Sequence, residues 1–390
     1  MRFPEFSGEW EKQKLSDFVE RVTRKNKNNE SKLPLTISAQ YGLVDQITFF
    51  NKVIASADIS GYYLLKKGEF AYNKSYSGDY TWGAVKRLDR YEQGALSTLY
   101  ICFSPLKCVI SDYLVHYFET KKWHREVSEI AVEGARNHGL LNIGVADYFN
   151  TKHFLPSKKE QKKIAAFLNL IEKRIALQTK IIEKYKSLIK GIVVEHYNKT
   201  HKTKVKIKDL GKSYSVMNMS KEDLSESGNE CIIYGELFTT YDCVATDIVS
   251  RTEKSIQSST ISTGYDLLFP ASTTVDAQSL IAPTAISQPN IILGGDMFGI
   301  VVDKKYNNEY LSYIFNYLYK NYLARYAQGS TIIHLHYNYI KNLDIELPDI
   351  NTQNKLVLLL QNMQYKIHTE KKMLSMLEIQ KAYLLSNLFI

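Results

Sequence analysis

Cysteine is scarce and poorly spaced for chemistry: Cys102, Cys108, Cys231 and Cys243 are the only four, and none forms a C-x-x-C pair. That pattern offers neither a zinc site nor a disulfide framework, and a reducing cytoplasm suits it best. The opening Met1-Arg2-Phe3-Pro4-Glu5-Phe6 lacks an apolar signal core. No run of about eighteen apolar residues occurs, so no segment is expected to cross a membrane. Catalytic motifs are missing as well. There is no Asn/Asp-Pro-Pro-aromatic segment of an amino-methyltransferase, no G-x-x-x-x-G-K-[ST] phosphate loop, no glycine-rich dinucleotide loop and no G-x-S-x-G elbow. Glu30-Ser31-Lys32 resembles the end of a nuclease motif but has no Pro-Asp before it. His334-x-His336 has no further ligands beside it, so no metal site is expected.

What is present is tyrosine, 28 residues of it, and a net charge of +9. A basic chain makes a polyanionic partner worth considering. The excess is unevenly placed. Residues 156–199 hold 11 basic and 4 acidic side chains, whereas 200–346 hold 13 and 16, a net of −3. Base reading needs a few placed side chains rather than net charge.

The chain repeats itself with an offset of 192. Leu155-Pro156-Ser157, with Gln161 and Ile164, recurs as Leu347-Pro348-Asp349, with Gln353 and Leu356. Leu15-Ser16-Asp17-Phe18 recurs as Ile207-Lys208-Asp209-Leu210. Between these, with small insertions, Asp112-Tyr113-Leu114 and Tyr117-Phe118 match Glu309-Tyr310-Leu311 and Ile314-Phe315, and Gly134 matches Gly329. Each half reads as a mixed domain followed by a helix.

Both helices carry a heptad seam. The first runs Ile164, Leu168, Ile171, Ile175, Gln178 and Ile182. The second runs Leu356, Leu360, Met363, Ile367, Glu370 and Leu374. The polar interruptions Gln178 and Glu370 are again 192 apart. Such a pattern specifies a supercoiled pair, and a polar seam residue sets register. Ser157-Lys158-Lys159-Glu160 reads as a capping box for the first helix, and Thr352 in place of Glu160 weakens the second cap. Paired antiparallel, about 35 residues of helix would make a rod of roughly 50 Å with a mixed domain at each end.

The expected class is α+β: two domains related by internal duplication, separated by long helices forming an antiparallel coiled coil. The expected boundaries are 1–155, 156–199, 200–346 and 347–390. Each domain has short strand-like runs and a late aromatic-rich helix, near 110–124 and 307–326. Polar loops after strands supply the candidate DNA contacts. In the first half they are Tyr72, Asn73, Lys74, Tyr76, Tyr80, Trp82, Lys86, Arg87 and Arg90, with Arg136, Asn137 and His138 in a second loop. In the second half they are Ser272, Thr273, Thr274 and Gln278, then Gln328, Ser330, Thr331 and His334. Arg, Lys, Asn and Gln can make bidentate contacts to purine edges.

The sequence resembles the specificity subunits of type I restriction–modification systems. The carriers are Phe3-Pro4-Glu5-Phe6-Ser7-Gly8-Glu9-Trp10 with Lys14-Leu15, then Leu155-Pro156 through Glu160-Gln161 and Ile164-Ala165, and the duplicated heptad helix. The resemblance spans essentially the whole chain, with the second copy departing at Thr352. It implies two target recognition domains, each reading one half of a split site in double-stranded DNA. It implies helices that set the gap and dock two methyltransferase subunits and the restriction/translocase subunits. S-adenosylmethionine, ATP and magnesium would reside on those partners, and this chain would be a non-catalytic subunit binding no cofactor or metal. A coiled-coil scaffold that binds only proteins, or an enzyme with unrecognised motifs, are the other classes. A gel shift with and without a methyltransferase subunit separates the three.

Overall fold

The computed structural model describes residues 1–52, 54–75, 80–131 and 141–390. The chain divides into two compact units, Met1–Gln178 with Met373–Ile390, and Thr179–Lys372. Among the described residues no helix is long and apolar enough to cross a membrane.

Unit 1 opens with the strand Glu11–Lys14, which pairs antiparallel with Lys152–Leu155. The short helix Leu15–Phe18 follows, and then Val19–Arg21 enters a four-stranded sheet. From the edge its strands are Val19–Arg21, Ile101–Pro105, Phe70–Asn73 and Ala84–Arg87, all antiparallel. Phe70 and Phe103 sit opposite each other and stack, with ring centroids 5.4 Å apart. Period-2 alternation sends this face toward the helix Ser111–Glu119, whose Tyr113, Leu114, Tyr117 and Phe118 join the same core.

Unit 2 repeats the scheme. Thr203–Lys206 pairs with Asp344–Leu347, each residue 192 beyond its counterpart in unit 1. The sheet order is Gly211–Ser215, Met297–Val302, Asp266–Pro270 and Thr284–Ile286, and Val244–Ala245 is added parallel at the edge. Phe269 and Phe298 stack across two of these strands, 5.0 Å apart. Asn308–Tyr317 occupies the place of Ser111–Glu119.

Each expected aromatic-rich helix is broken in two. Thr120 turns extended and its hydroxyl closes on the Tyr117 carbonyl, so His124–Ile130 is separate. In unit 2, Asn308–Tyr317 is followed by Lys320–Ala324.

The two long helices are Lys158–Lys199 and Ile350–Asn387. Their seam residues are buried at Ile164, Leu168, Ile171, Gln178, Ile182, Leu356, Leu360, Met363 and Ile367, and half-buried at Ile175, Glu370 and Leu374. Each fully buried aliphatic contributes about 1.5–3 kcal/mol. In unit 1, Ile164, Leu168 and Ile171 cluster with Leu384, Leu388 and Phe389. The start of one helix thus lies on the end of the other, which makes them antiparallel. In unit 2, Lys186 and Lys371, one from each helix, reach the same carboxylate of Asp242 at 3.0 and 3.4 Å.

The caps differ from expectation. Glu160 N–H donates to Ser157 Oγ at 3.4 Å, but the Glu160 carboxylate does not turn back to complete the box. It is gripped by Arg2 through Nε and Nη2, both at 2.7 Å. The second cap is not weakened by Thr352. Asp349, as good a capping residue as Ser157, accepts from Thr352 N at 3.1 Å and Thr352 Oγ1 at 2.6 Å.

Candidate nucleic-acid interface

Every candidate contact residue of unit 2 lies among the described residues. After Asp266–Pro270 the chain forms the two-residue strand Ser272–Thr273, which pairs antiparallel with Ile333–His334. Ala271 O accepts from Leu335 N at 2.9 Å, tying the two loops at their base. Gln328 and His334 then exchange both backbone bonds, at 2.8 and 2.7 Å. The chain reverses at Gly329, where φ is +119° and an added Cβ would meet Ile332 O at 2.0 Å, so only glycine fits. The product is a tight hairpin carrying exposed Gln328, Ser330 and Thr331. Beside it lie exposed Thr274 and Gln278, the latter on the helix Ala277–Leu280 that touches both small strands. Thr273 and His334 are half-buried, and Ser272 is buried.

Asp276 caps that helix, with Oδ1 accepting from Ser279 N at 2.7 Å. This bond, the Ser279 hydroxyl and the charge of Lys320 hold its carboxyl below the usual range. His334 and His336 stack in parallel with centroids 5.9 Å apart, rather than converging on a point as metal ligands would.

In unit 1, Tyr72 stands opposite Ile101 as Phe269 stands opposite Phe298, an offset of 197. Asn73 and Lys74 therefore occupy the places of Pro270 and Ala271. Lys74 O accepts from Leu141 N at 2.9 Å, the counterpart of the Ala271–Leu335 bond. The same two loops are joined at the base in both units. Tyr76, Arg136, Asn137 and His138, with Gly134, lie outside the described residues.

The remaining unit 1 candidates separate into two groups. Lys74, Tyr80 and Trp82 are half-buried and Arg90 is exposed. Asn73 uses Oδ1 to accept from Ser75 N at 3.0 Å. Tyr72 must be withdrawn: it is fully enclosed, stacks on Tyr148 at 4.7 Å and donates its hydroxyl to Trp82 O. The strand's alternation points it inward, which the sequence of an aromatic-rich run conceals. Lys86 pairs with Glu119, and Arg87 donates to Asp89, Ser111 and Asp112, so both charges hold the helix Ser111–Glu119 to the sheet.

Sequence reasoning also passed over Arg325. It is exposed at the C-cap of Lys320–Ala324, a helix in contact with Ala277–Leu280 and three residues before Gln328. A lone basic residue at the end of a short helix was the available signal.

Neither unit presents a metal-ligating cluster among the described residues. What the surface offers is a narrow ribbon of amides, hydroxyls and imidazole on a small two-stranded sheet. A two-stranded ribbon fits the major groove, and amide side chains read adenine there. A surface of this kind has the chemistry to meet base edges. Residues 199–378 match the family described as the type I restriction modification DNA specificity domain. That stretch, somewhat under half of the chain, is similar to the DNA sequence-recognition domains of type I restriction–modification systems. Two solved structures share its fold along nearly the whole length. One is described as the crystal structure of a type-I restriction-modification system S subunit from M. genitalium, 14% identical, covering 100% of this chain and 99% of that one, with a TM-score of 0.56. The other comes from work on complex assembly and conformational transition of the type I R-M system, 12% identical, covering 98% and 97%, with a TM-score of 0.54. Comparison with curated proteins finds no match.

Proposed function

We propose that this chain is the specificity subunit of a type I restriction–modification complex, with each mixed domain reading one half of a split site in double-stranded DNA. The observation that carries this is the duplicated pair of loops, joined at the base by Lys74–Leu141 in one unit and Ala271–Leu335 in the other. Two loop pairs joined alike at the base, with different residues along them, suit a bipartite and asymmetric sequence. In this reading the long helices dock two methyltransferase subunits in pseudo-two-fold fashion, together with the restriction/translocase subunits. S-adenosylmethionine belongs to the methyltransferases, and ATP with magnesium to the restriction subunits. The complex works in the cytoplasm, where the DNA is.

The test is a domain exchange. Replacing residues 1–155 with the corresponding domain of a related chain, and mapping methylated sites, should change one half-site and leave the other intact. A change in both half-sites would sink the two-reader model. The helices are read as the ruler for the gap. Adding one heptad to both lengthens each by roughly 10 Å, about three base pairs. The preferred gap in a library of randomised spacings should grow, and an unchanged gap would remove the ruler role.

A further inference from the structure

A cavity of about 350 Å3 in unit 2 lies between the helix Asn308–Tyr317, the edge strand Val244–Ala245 and the helix Ile350–Asn387. Its walls include Glu309, Tyr313, Gln361, Tyr365, Asp247 and His368. The duplication shows what is unusual about it.

In unit 1 the same place is electrically closed. Asp112, the counterpart of Glu309, accepts from Arg87 Nη1 at 2.7 Å and from Asn169 Nδ2 at 3.2 Å. Asn169 corresponds to Gln361, again 192 residues on, and Gln361 Nε2 keeps the amide contact to Glu309 at 3.1 and 3.2 Å. The arginine has no such successor. Arg87 faces Phe70 in the sheet, and Ala285 faces Leu267 at the equivalent position. Ala285 is fully buried beneath the added strand Val244–Ala245, so no side chain can reach out from there.

Glu309 is thus only 7% exposed and accepts from Gln361 and from the Ser287 hydroxyl at 2.9 Å. Every residue of unit 2 is described, and none of its lysines or arginines pairs with Glu309; Lys186 and Lys371 go to Asp242. His368 sits 3.0 Å from the second carboxylate, Asp247. A carboxylate held from water by neutral donors alone pays a desolvation cost that a cation would relieve.

We propose that this cavity receives an arginine side chain from a protein partner. A guanidinium forks onto a carboxylate through parallel N–H bonds and stacks on aromatic faces, and the cavity offers Glu309 with Tyr313 and Tyr365. A lysine would fill the charge but not the plane. Tyr365 is 73% exposed, and Leu358 and Leu359, 65% and 49% exposed, continue an apolar strip along the same helix. That strip suits a protein surface rather than a small cation. The partner is then the methyltransferase subunit docked along this helix, so this step rests on the proposed function.

The probe is N-acetyl-arginine amide, with N-acetyl-citrulline amide as its uncharged isostere, titrated into the full chain and followed by saturation-transfer NMR. The arginine compound should bind saturably. The citrulline compound, and the Glu309→Gln variant with either, should bind about tenfold more weakly. Tyr365→Ala removes a mostly exposed ring without threatening the fold, and should cost several-fold. Complex formation between the full chain and its methyltransferase subunit should weaken with both variants. Equal binding of the two probes, wild-type behaviour of both variants, or complex formation indifferent to both, overturns the proposal. A wild-type chain that assembles with no methyltransferase would speak against the proposed function, and the probe titration on the chain alone would still decide the cavity.

Discussion

Gln161 and Gln353 make the same two hydrogen bonds in the two halves of the chain. Gln161 Nε2 donates to Pro156 O at 2.9 Å, and its Oε1 accepts from Ile110 N at 2.9 Å. Gln353 Nε2 donates to Pro348 O at 2.8 Å, and its Oε1 accepts from Asn307 N at 2.9 Å. Both side chains are buried. Ile110 and Asn307 are the N-caps of Ser111–Glu119 and Asn308–Tyr317, so each glutamine latches its long helix to the helix beneath the reading sheet.

Breaking either latch should therefore destabilise its own unit. Gln161→Leu or Gln353→Leu leaves a half-buried backbone N–H and a buried carbonyl without their partners. The expected loss is about 1–3 kcal/mol for each group left unsatisfied. Glutamate at either position keeps the acceptor but sets a buried carboxylate against the proline carbonyl, so its loss at neutral pH should be no smaller. Urea unfolding of the full chain measures this, and wild-type stability in the leucine variants would show that the latch is incidental.

His153 should make unit 1 sensitive to acid. Its imidazole bonds to Tyr117 Oη and Thr151 Oγ1, both at 2.8 Å, and burial pushes its pKa down to about 4. The unfolded chain takes up this proton near pH 6.5, the folded chain only near 4. The stability from neutral His153 is complete above pH 6.5 and is lost as the pH falls from 6.5 toward 4, by up to about 1.4 kcal/mol per unit. Unit 2 has Ile314 and Ile345 at the positions of Tyr117 and His153, both buried. His153→Ile alone strands the Tyr117 hydroxyl and should cost about 1–3 kcal/mol, whereas Tyr117→Ile with His153→Ile should recover much of it. The double variant should also show a shallower loss of stability on acidification, and an unchanged slope would clear His153 of the effect.

Side-chain truncations at the two surfaces should act on separate half-sites. Gln328→Ala or Gln278→Ala should relax one position of one half-site, by about 1–3 kcal/mol for a bidentate contact. Arg90→Ala should leave that half-site untouched. Site selection from a randomised library with the assembled complex reads this directly. Uniform weakening across all sequences would mark the glutamines as backbone contacts instead.

The isolated chain should bind DNA weakly and with strong salt dependence. The second mixed domain carries a net −3 over residues 200–346, so few phosphates can be neutralised there. Titration at two ionic strengths, with and without the methyltransferase subunit, tests this. Tight specific binding by the chain alone at physiological salt would contradict it.

The duplication, the heptad seams and the loops were legible in the sequence, because each is written in local spacing. Offset 192 returns as strand register, from Glu11 opposite Leu155 to Thr203 opposite Leu347. Period 3.5 returns as the line from Ile164 to Ile182, buried except at half-buried Ile175. Other features were decided only in three dimensions, because they depend on residues far apart in the chain. Tyr72 looked like a loop residue until a sheet face enclosed it. Arg87 looked free until Asp112, 25 residues on, took its guanidinium. Glu160 looked like half of a capping box until Arg2, 158 residues away, claimed its carboxylate. A sequence shows which groups carry charge and which repeat, but which partner satisfies a buried charge is settled by whichever side chain the fold brings within about 3 Å.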